Sequence, residues 1–158
     1  MRASQTALLI LCIGCNNPRD SDDSGAPGGE AACDGEPVDE YTPGIERLGE
    51  GGRLSFAVED AAPDPPDEGD NTWRLLLTQG GAGLDGAEVT LVPTMPAHGH
   101  GTSPESFQGQ DRGDGRYEIG PFDLIMPGVW RFEIAAGGAS SDESDESDEV
   151  VFTFCVEG

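Results

Sequence analysis

The residue types best suited to bind a metal ion lie together in the segment TMPAHGH, residues 94–100. This segment holds Met95 and both histidines of the chain, His98 and His100. A thioether sulfur prefers Cu(I), and a neutral imidazole binds copper and zinc alike. A second thioether, Met126, occurs in the segment LIMPGVW, again directly before a proline. These four side chains together predict a copper site of mixed sulfur and nitrogen donors.

The same segment also has a purely structural interpretation. Pro96 would fix the chain, Met95 would close one end of the core, and the histidines would cap backbone groups or face water. Three ligands on one flexible loop form a weak preformed site, so the donor chemistry alone slightly favours this structural interpretation. A strict up-and-down order of strands would also separate Met95 from Met126. The two can meet only if PFDLI, residues 121–125, is a separate strand or if Met126 ends a longer one.

The composition is that of one small, acidic domain. The 158 residues, of which 35% are hydrophobic, can bury one modest core. The formal net charge is −23, and all eight basic residues are arginines. Such a charge repels nucleic acid and anionic lipid head groups, so nucleic acid is excluded as a partner. A solvated acidic surface accounts for the charge without any specific recognition.

Alternation of apolar and polar residues predicts an all-β fold. The period of two residues with one polar face is typical of antiparallel sheets that pack on one side. We expect a single immunoglobulin-like antiparallel β-sandwich of about 6–8 strands, with an open barrel as the alternative. PFDLI adds a further short strand or extends its predecessor. The alternating segments are residues 53–60, 71–78, 86–93, 115–120, 128–136 and 149–156. The residues expected to face the core are Leu54, Phe56, Val58, Trp73, Leu75, Leu77, Ala87, Val89, Leu91, Tyr117, Ile119, Trp130, Phe132, Ile134, Val150, Phe152, Phe154 and Val156.

The N-terminal residues have the pattern of an export signal. Arg2 precedes an apolar run at residues 7–13, which is too short to span a bilayer. The run is followed by Gly14 and Cys15, and the whole resembles a bacterial lipoprotein signal. This resemblance implies cleavage after residue 14, lipidation of Cys15 and attachment to the lipid bilayer of the cell envelope. The alternative is an ordinary secretory signal that is cut near Gly14, which also gives an exported chain.

After the signal, residues 16–32 are polar and rich in Gly, Pro, Ser and Asp, without apolar periodicity. Such a composition is typical of a disordered tether. We therefore expect a signal peptide at residues 1–14, a disordered tether at residues 15–32 and one β-sandwich domain at residues 33–158.

Two cysteines are left in the exported domain, and they predict a disulfide. In an oxidising compartment Cys33 and Cys155 would pair with each other. Cys155 is placed on the outward face of the last predicted strand, where it could hold a peripheral N-terminal segment. The alternative is a pair of free thiols that act as metal ligands.

The segment GGASSDESDESDE, residues 137–149, joins the last two predicted strands. Its charge density prevents packing, so we expect a mobile hairpin loop. Clustered carboxylates also suit Ca²⁺, but their spacing here does not match the helix-loop-helix calcium motif. The solvated loop is therefore the preferred interpretation.

Two motifs in the centre of the chain resemble the YtkA-like/FixH-like domain of exported bacterial lipoproteins and membrane-anchored proteins. The segments are DGAEVTLVPTMPAHGHGT and GDGRYEIGPFDLIMPGVWRFEI, and the resemblance covers roughly residues 70–136. The sequence departs from the family pattern at His98, where the family has a second methionine. The matching positions are Met95, Pro96, His100 and Gly101 in the first motif, and Met126, Pro127, Gly128 and Trp130 in the second. The resemblance implies an immunoglobulin-like domain without known enzymatic activity, and an association of FixH-like members with copper handling.

Two classes of function remain from the sequence. The first is a non-enzymatic, membrane-anchored binding module that binds or hands on copper through Met95, His98, His100 and Met126. The second is a structural or protein-interaction domain of the envelope that has no metal site. An enzyme is not expected, because no Ser/His/Asp set and no distinct pair of carboxylates is apparent.

Overall fold

A computed structural model of the protein describes residues 33–138 and 147–158. Within these residues the chain forms eleven strands: β1 Ile45–Leu48, β2 Leu54–Ala62, β3 Gly69–Gln79, β4 Ala82–Gly83, β5 Glu88–Met95, β6 His100–Gly101, β7 Phe107–Gln108, β8 Gln110–Gly113, β9 Arg116–Leu124, β10 Gly128–Gly137 and β11 Asp148–Val156. In this part of the chain no helix is long and apolar enough to cross a membrane. The expected signal peptide, the lipidated Cys15 and the tether lie outside the described residues, and so does most of the acidic segment 137–149.

The strands form two antiparallel sheets. One sheet has the order β1-β2-β3-β9-β8, and the short β4 pairs with β3. The other has the order β11-β10-β5-β6, and the short β7 pairs with β5. Side chains from both sheets meet in a single core. The expected all-β antiparallel sandwich is therefore confirmed, because the described residues form two separate sheets instead of the one curved sheet of an open barrel.

The core consists of alternate residues of the six long strands, as the sequence pattern predicts. Every residue expected to face the core is buried. The Trp73 ring lies among other aromatic rings, with its centroid 4.5 Å from that of Phe132 and 5.5 Å from that of Phe122. The contact with Phe132 joins the two sheets, and the contact with Phe122 lies within one sheet. Aromatic side chains bury the largest apolar areas, so both contacts stabilise the sandwich.

The segment PFDLI extends the preceding strand instead of forming a separate one. β9 continues from Arg116 to Leu124 and pairs with β3 as far as Gly69. Met126 therefore follows the end of a long strand by two residues. This is one of the two arrangements in which Met126 can reach the same end of the sandwich as Met95.

The expected disulfide is confirmed. Cys33 and Cys155 are bonded, with their Cα atoms 5.9 Å apart. In β11, Cys155 lies opposite Val129 of β10. The disulfide thus ties the residues that follow Cys33 to the end of the sandwich where β11 ends and β10 begins.

The outer edge of β11 is covered by the chain that follows Cys33. The Asp39 amide donates to the Thr153 carbonyl at 2.6 Å, and the Thr153 amide donates to the Asp39 carboxylate at 2.8 Å. Arg47 forms an ion pair with Asp39 and donates to the Val151 carbonyl at 2.7 Å. An open strand edge would offer these backbone groups to other chains, and these contacts occupy them.

One buried carboxylate holds the turn between β1 and β2 at the opposite end of the sandwich. Asp148, the first residue of β11, is 6% exposed. Its carboxylate accepts hydrogen bonds from the backbone amides of Gly51, Arg53 and Leu54 at 2.6, 2.8 and 3.0 Å. Asp148 thus links the end of the acidic segment to the other sheet.

Candidate metal centre

The loop with the expected metal ligands is a tight turn that returns onto its own strand. β5 ends at Met95, and β6 pairs back so that Met95 lies opposite His100. The amides of His98 and Gly99 both donate to the Met95 carbonyl, at 3.1 and 3.0 Å. Gly101 allows the close return, because a Cβ atom there would collide with the backbone of β5. The turn therefore fixes the backbone that carries both histidines.

The two imidazole rings lie near each other on the surface. Their centroids are 5.6 Å apart, and their planes are tilted by 39°. Both histidines are exposed. Two imidazoles that bind one ion at a metal–nitrogen distance of about 2 Å have centroids roughly 5–6.5 Å apart. The observed separation of His98 and His100 falls within this range.

Met95 lines two surface cavities, of about 470 and 390 Å³. His98 lines the larger cavity and His100 the smaller one. The methionine thus borders the space beside each imidazole. Met95 is itself only 2% exposed and belongs to the core, as the structural interpretation of this loop also predicts.

Gly128, in the second motif, makes room for Met95. A Cβ atom at this position would lie 2.6 Å from Cε of Met95, and the backbone φ angle of Gly128 is +135°. Both the contact and the φ angle disfavour any residue with a side chain. The two motifs, far apart in the sequence, therefore meet at the Met95 side chain.

Trp130 provides a second contact between the motifs. Its indole N–H donates to the Met126 carbonyl at 3.0 Å, and its ring stands edge-on to His100, with 6.5 Å between the centroids. Trp130 is fully buried, so it offers His100 a rigid neighbour. Met126 lies at the same end of the sandwich, but its half-buried side chain packs against the core. The residues that line the two described cavities include Met95 and both histidines but not Met126.

Two carboxylates beside the loop were not predicted as site residues. Glu36 lines the cavity of His98, and Glu105 lines the cavity of His100. The expected disulfide was the only signal for Glu36, because it brings the residues after Cys33 to the start of β10. Glu105 follows the loop closely in the chain, but it is one of 31 Asp and Glu residues and no motif distinguishes it.

The number of available donors limits the kind of site. Within residues 33–138 and 147–158, no three His, Cys, Asp or Glu side chains are arranged to hold a metal ion. The sulfur of Met95, which lines the cavities of both histidines, is the soft side-chain donor beside them. Two imidazoles with one thioether form a donor set that suits copper.

Comparisons with known proteins place the chain in a family. No curated protein matches the sequence. Among solved structures, FetP of uropathogenic E. coli strain F11, expressed in the periplasm of E. coli, is similar to this chain with a TM-score of 0.44 and 11% identity. The match covers 77% of this chain and 99% of FetP. The sequence pattern of the YtkA-like family matches residues 53–135, which include both motifs and most of the long strands. The chain therefore belongs to the YtkA-like family.

Proposed function

We propose that this protein is an extracytoplasmic, non-enzymatic module that binds Cu(I) and hands it on. His98, His100 and Met95 are the ligands in this proposal, and Met126 is a weaker fourth donor. The observation that carries it is the pair of exposed imidazoles, 5.6 Å apart, beside a methionine that lines the cavities of both. A soft thioether combined with imidazole nitrogen favours Cu(I) over Zn²⁺ or Mg²⁺.

Export is supported by the disulfide between Cys33 and Cys155. Disulfides persist in oxidising compartments outside the cytoplasm and are rare in reducing ones. A binding role fits a surface site in which Met95 and the two histidines border open cavities. It also fits the exposure of both histidines, which would let a partner protein reach the bound ion.

The proposal is tested by titrating the purified full chain with Cu(I) in competition with a coloured chelator. We expect one tight site per chain in the wild type and its loss in the His98→Ala/His100→Ala variant, because both imidazole donors are removed. Met95→Leu then separates metal binding from core packing. This change conserves volume and costs less than about 1.5 kcal/mol of stability, yet it removes the sulfur. We therefore expect Met95→Leu to fold normally and to bind Cu(I) more weakly.

The same substitution at Met126 is the matched control, since it removes a sulfur that lies outside the two cavities. Met126→Leu should weaken Cu(I) binding less than Met95→Leu does. Equal Cu(I) affinity of the wild type, Met95→Leu and the double histidine variant would contradict the proposal. The burial of Met95 favours the second candidate in that case, a structural or protein-interaction domain of the envelope in which the loop only closes the core.

We also propose that Cys15 carries a lipid that anchors the protein to the cell envelope. The apolar run at residues 7–13, followed by Gly14 and Cys15, supports this anchor. Cells that are fed labelled palmitate should incorporate the label into the wild type but not into Cys15→Ser. The variant should also move from the membrane fraction to the released fraction. Equal labelling of both proteins would rule out lipidation at Cys15.

A further inference from the structure

The segment that follows Cys33 forms one wall of the cavity beside His98. Glu36 and Pro37 line this cavity together with Met95, His98 and the residues at the start of β10. The wall is thus contributed by a part of the chain that lies before the first strand and outside the residues matched by the family pattern. An acidic side chain is thereby placed at the edge of the candidate metal site.

This wall is fixed at both of its ends. At one end, Cys33 is bonded to Cys155 of β11, and the Glu36 amide donates to the Cys33 carbonyl at 3.2 Å. At the other end, Asp39 exchanges two hydrogen bonds with Thr153 of β11. Only a few residues separate these two attachments, so the backbone of Glu36 has little freedom to leave the cavity.

The position of Glu36 changes the donor chemistry of the cavity. A carboxylate oxygen is a hard donor, and sets of nitrogen and oxygen donors in tetragonal geometry suit Cu(II), whereas the thioether suits Cu(I). The negative charge of Glu36 also neutralises part of the charge of Cu²⁺, which the neutral imidazole and thioether do not. Glu105 lines the cavity of His100, so Glu36 is the carboxylate residue that lines the cavity of His98.

We propose that Glu36 supplies a carboxylate oxygen to a cupric ion held by His98, and that the disulfide positions it there. The inference rests on the proposed copper-binding function and extends it to the second oxidation state. The site then holds Cu(II) through His98 and Glu36 and Cu(I) through the imidazoles and Met95. No electron transfer is required, because the ion is bound in the state in which it arrives.

The test compares Glu36→Gln with Glu40→Gln in the full chain. Glu40 is exposed and close to Glu36 in the sequence but does not line the described cavity, so its substitution removes the same charge without removing the donor. Cu(II) and Cu(I) affinities are measured by competition, and the Cu(II) complexes are compared by electron paramagnetic resonance. Glu36→Gln should weaken Cu(II) binding about tenfold or more, because substitutions at metal sites typically reduce metal affinity by this amount. It should also alter the Cu(II) spectrum. It should leave Cu(I) affinity unchanged, and Glu40→Gln should change neither.

A double-variant comparison tests the role of the disulfide. Cys33→Ser/Cys155→Ser should weaken Cu(II) binding as Glu36→Gln does, and combining all three changes should add no further loss, because the disulfide acts through Glu36. Circular dichroism checks that the serine variant is folded.

Equal Cu(II) affinities and spectra of Glu36→Gln and Glu40→Gln would overturn the assignment of Glu36 while the copper function stands. If the losses of Cu(II) affinity from Glu36→Gln and from Cys33→Ser/Cys155→Ser add up in the combined variant, the positioning role of the disulfide is overturned. A wild type that binds neither Cu(I) nor Cu(II) at a single tight site would overturn the copper function itself.

Discussion

Replacing Cys33 and Cys155 together by serine should lower the free energy of unfolding by about 4 kcal/mol. The disulfide joins residues that are 122 positions apart, so it restricts the unfolded chain over most of the domain. The serine variant restores that conformational freedom to the unfolded state, while the native contacts of β11 remain. Denaturation of both proteins in urea, followed by circular dichroism, measures the difference.

The wild type after reduction of its disulfide by a dithiol is the control for this prediction. It should unfold at the same urea concentration as the double serine variant, because both lack the same covalent link. A loss smaller than about 1 kcal/mol would show that the unfolded chain keeps the N-terminal segment near β11 without the disulfide.

Replacing Asp148 by alanine should lower the free energy of unfolding by about 3 kcal/mol. The carboxylate accepts hydrogen bonds from the amides of Gly51, Arg53 and Leu54. Leu54 is fully buried, so its amide would lose its partner without gaining water. Glu149→Ala is the matched control, because Glu149 is adjacent and exposed and its loss should cost no more than about 0.5 kcal/mol. Equal stabilities of the two variants would contradict the role of Asp148.

The contribution of Asp148 should also depend on pH. Burial by itself raises the pKa of this carboxyl, but the hydrogen bonds from the backbone amides of Leu54, Arg53, Gly51 and Glu149 outweigh it and hold the pKa below the ordinary value of 3.8. A carboxyl whose pKa is lowered by folding stabilises the fold above its unfolded pKa and loses this effect as the pH falls through the folded pKa. The stability difference between wild type and Asp148→Ala should therefore be full at neutral pH and shrink below pH 3.8. A difference that is constant down to acid pH would contradict this account.

The sequence predicts the six long strands because each buries every second residue in a shared core. Trp73, Leu75 and Leu77 in β3 show the pattern clearly, and all three are buried. β1 was missed, because only Ile45 of its four residues is partly buried and no alternation is visible. The two-residue strands, such as β4 with both residues exposed, depend on backbone pairing alone. Pairing of this kind depends on the tertiary fold and leaves no periodicity in the chain.

The candidate site was predictable where its residues are close in the sequence. Met95, His98 and His100 share one turn, so their proximity follows from the chain itself. The contact of this turn with Gly128 depends on the pairing of β5 with β10, which alternation does not specify. The position of Glu36 depends on a long-range covalent bond, and even a correctly predicted disulfide did not indicate which cavity the neighbouring residues would line.

The disulfide also determines how the domain bears mechanical load. A pulling force on the chain before Cys33 is transmitted through the disulfide to Cys155. This path bypasses β1, which forms four residue pairs with β2. The load falls instead on β11, which is paired with β10 along nine residue pairs. The disulfide thus gives this force a covalent path that does not run through residues 34–48. In the oxidised protein, tension from the N-terminal side can reach the hairpin of β10 and β11 without passing through the wall of the candidate metal site.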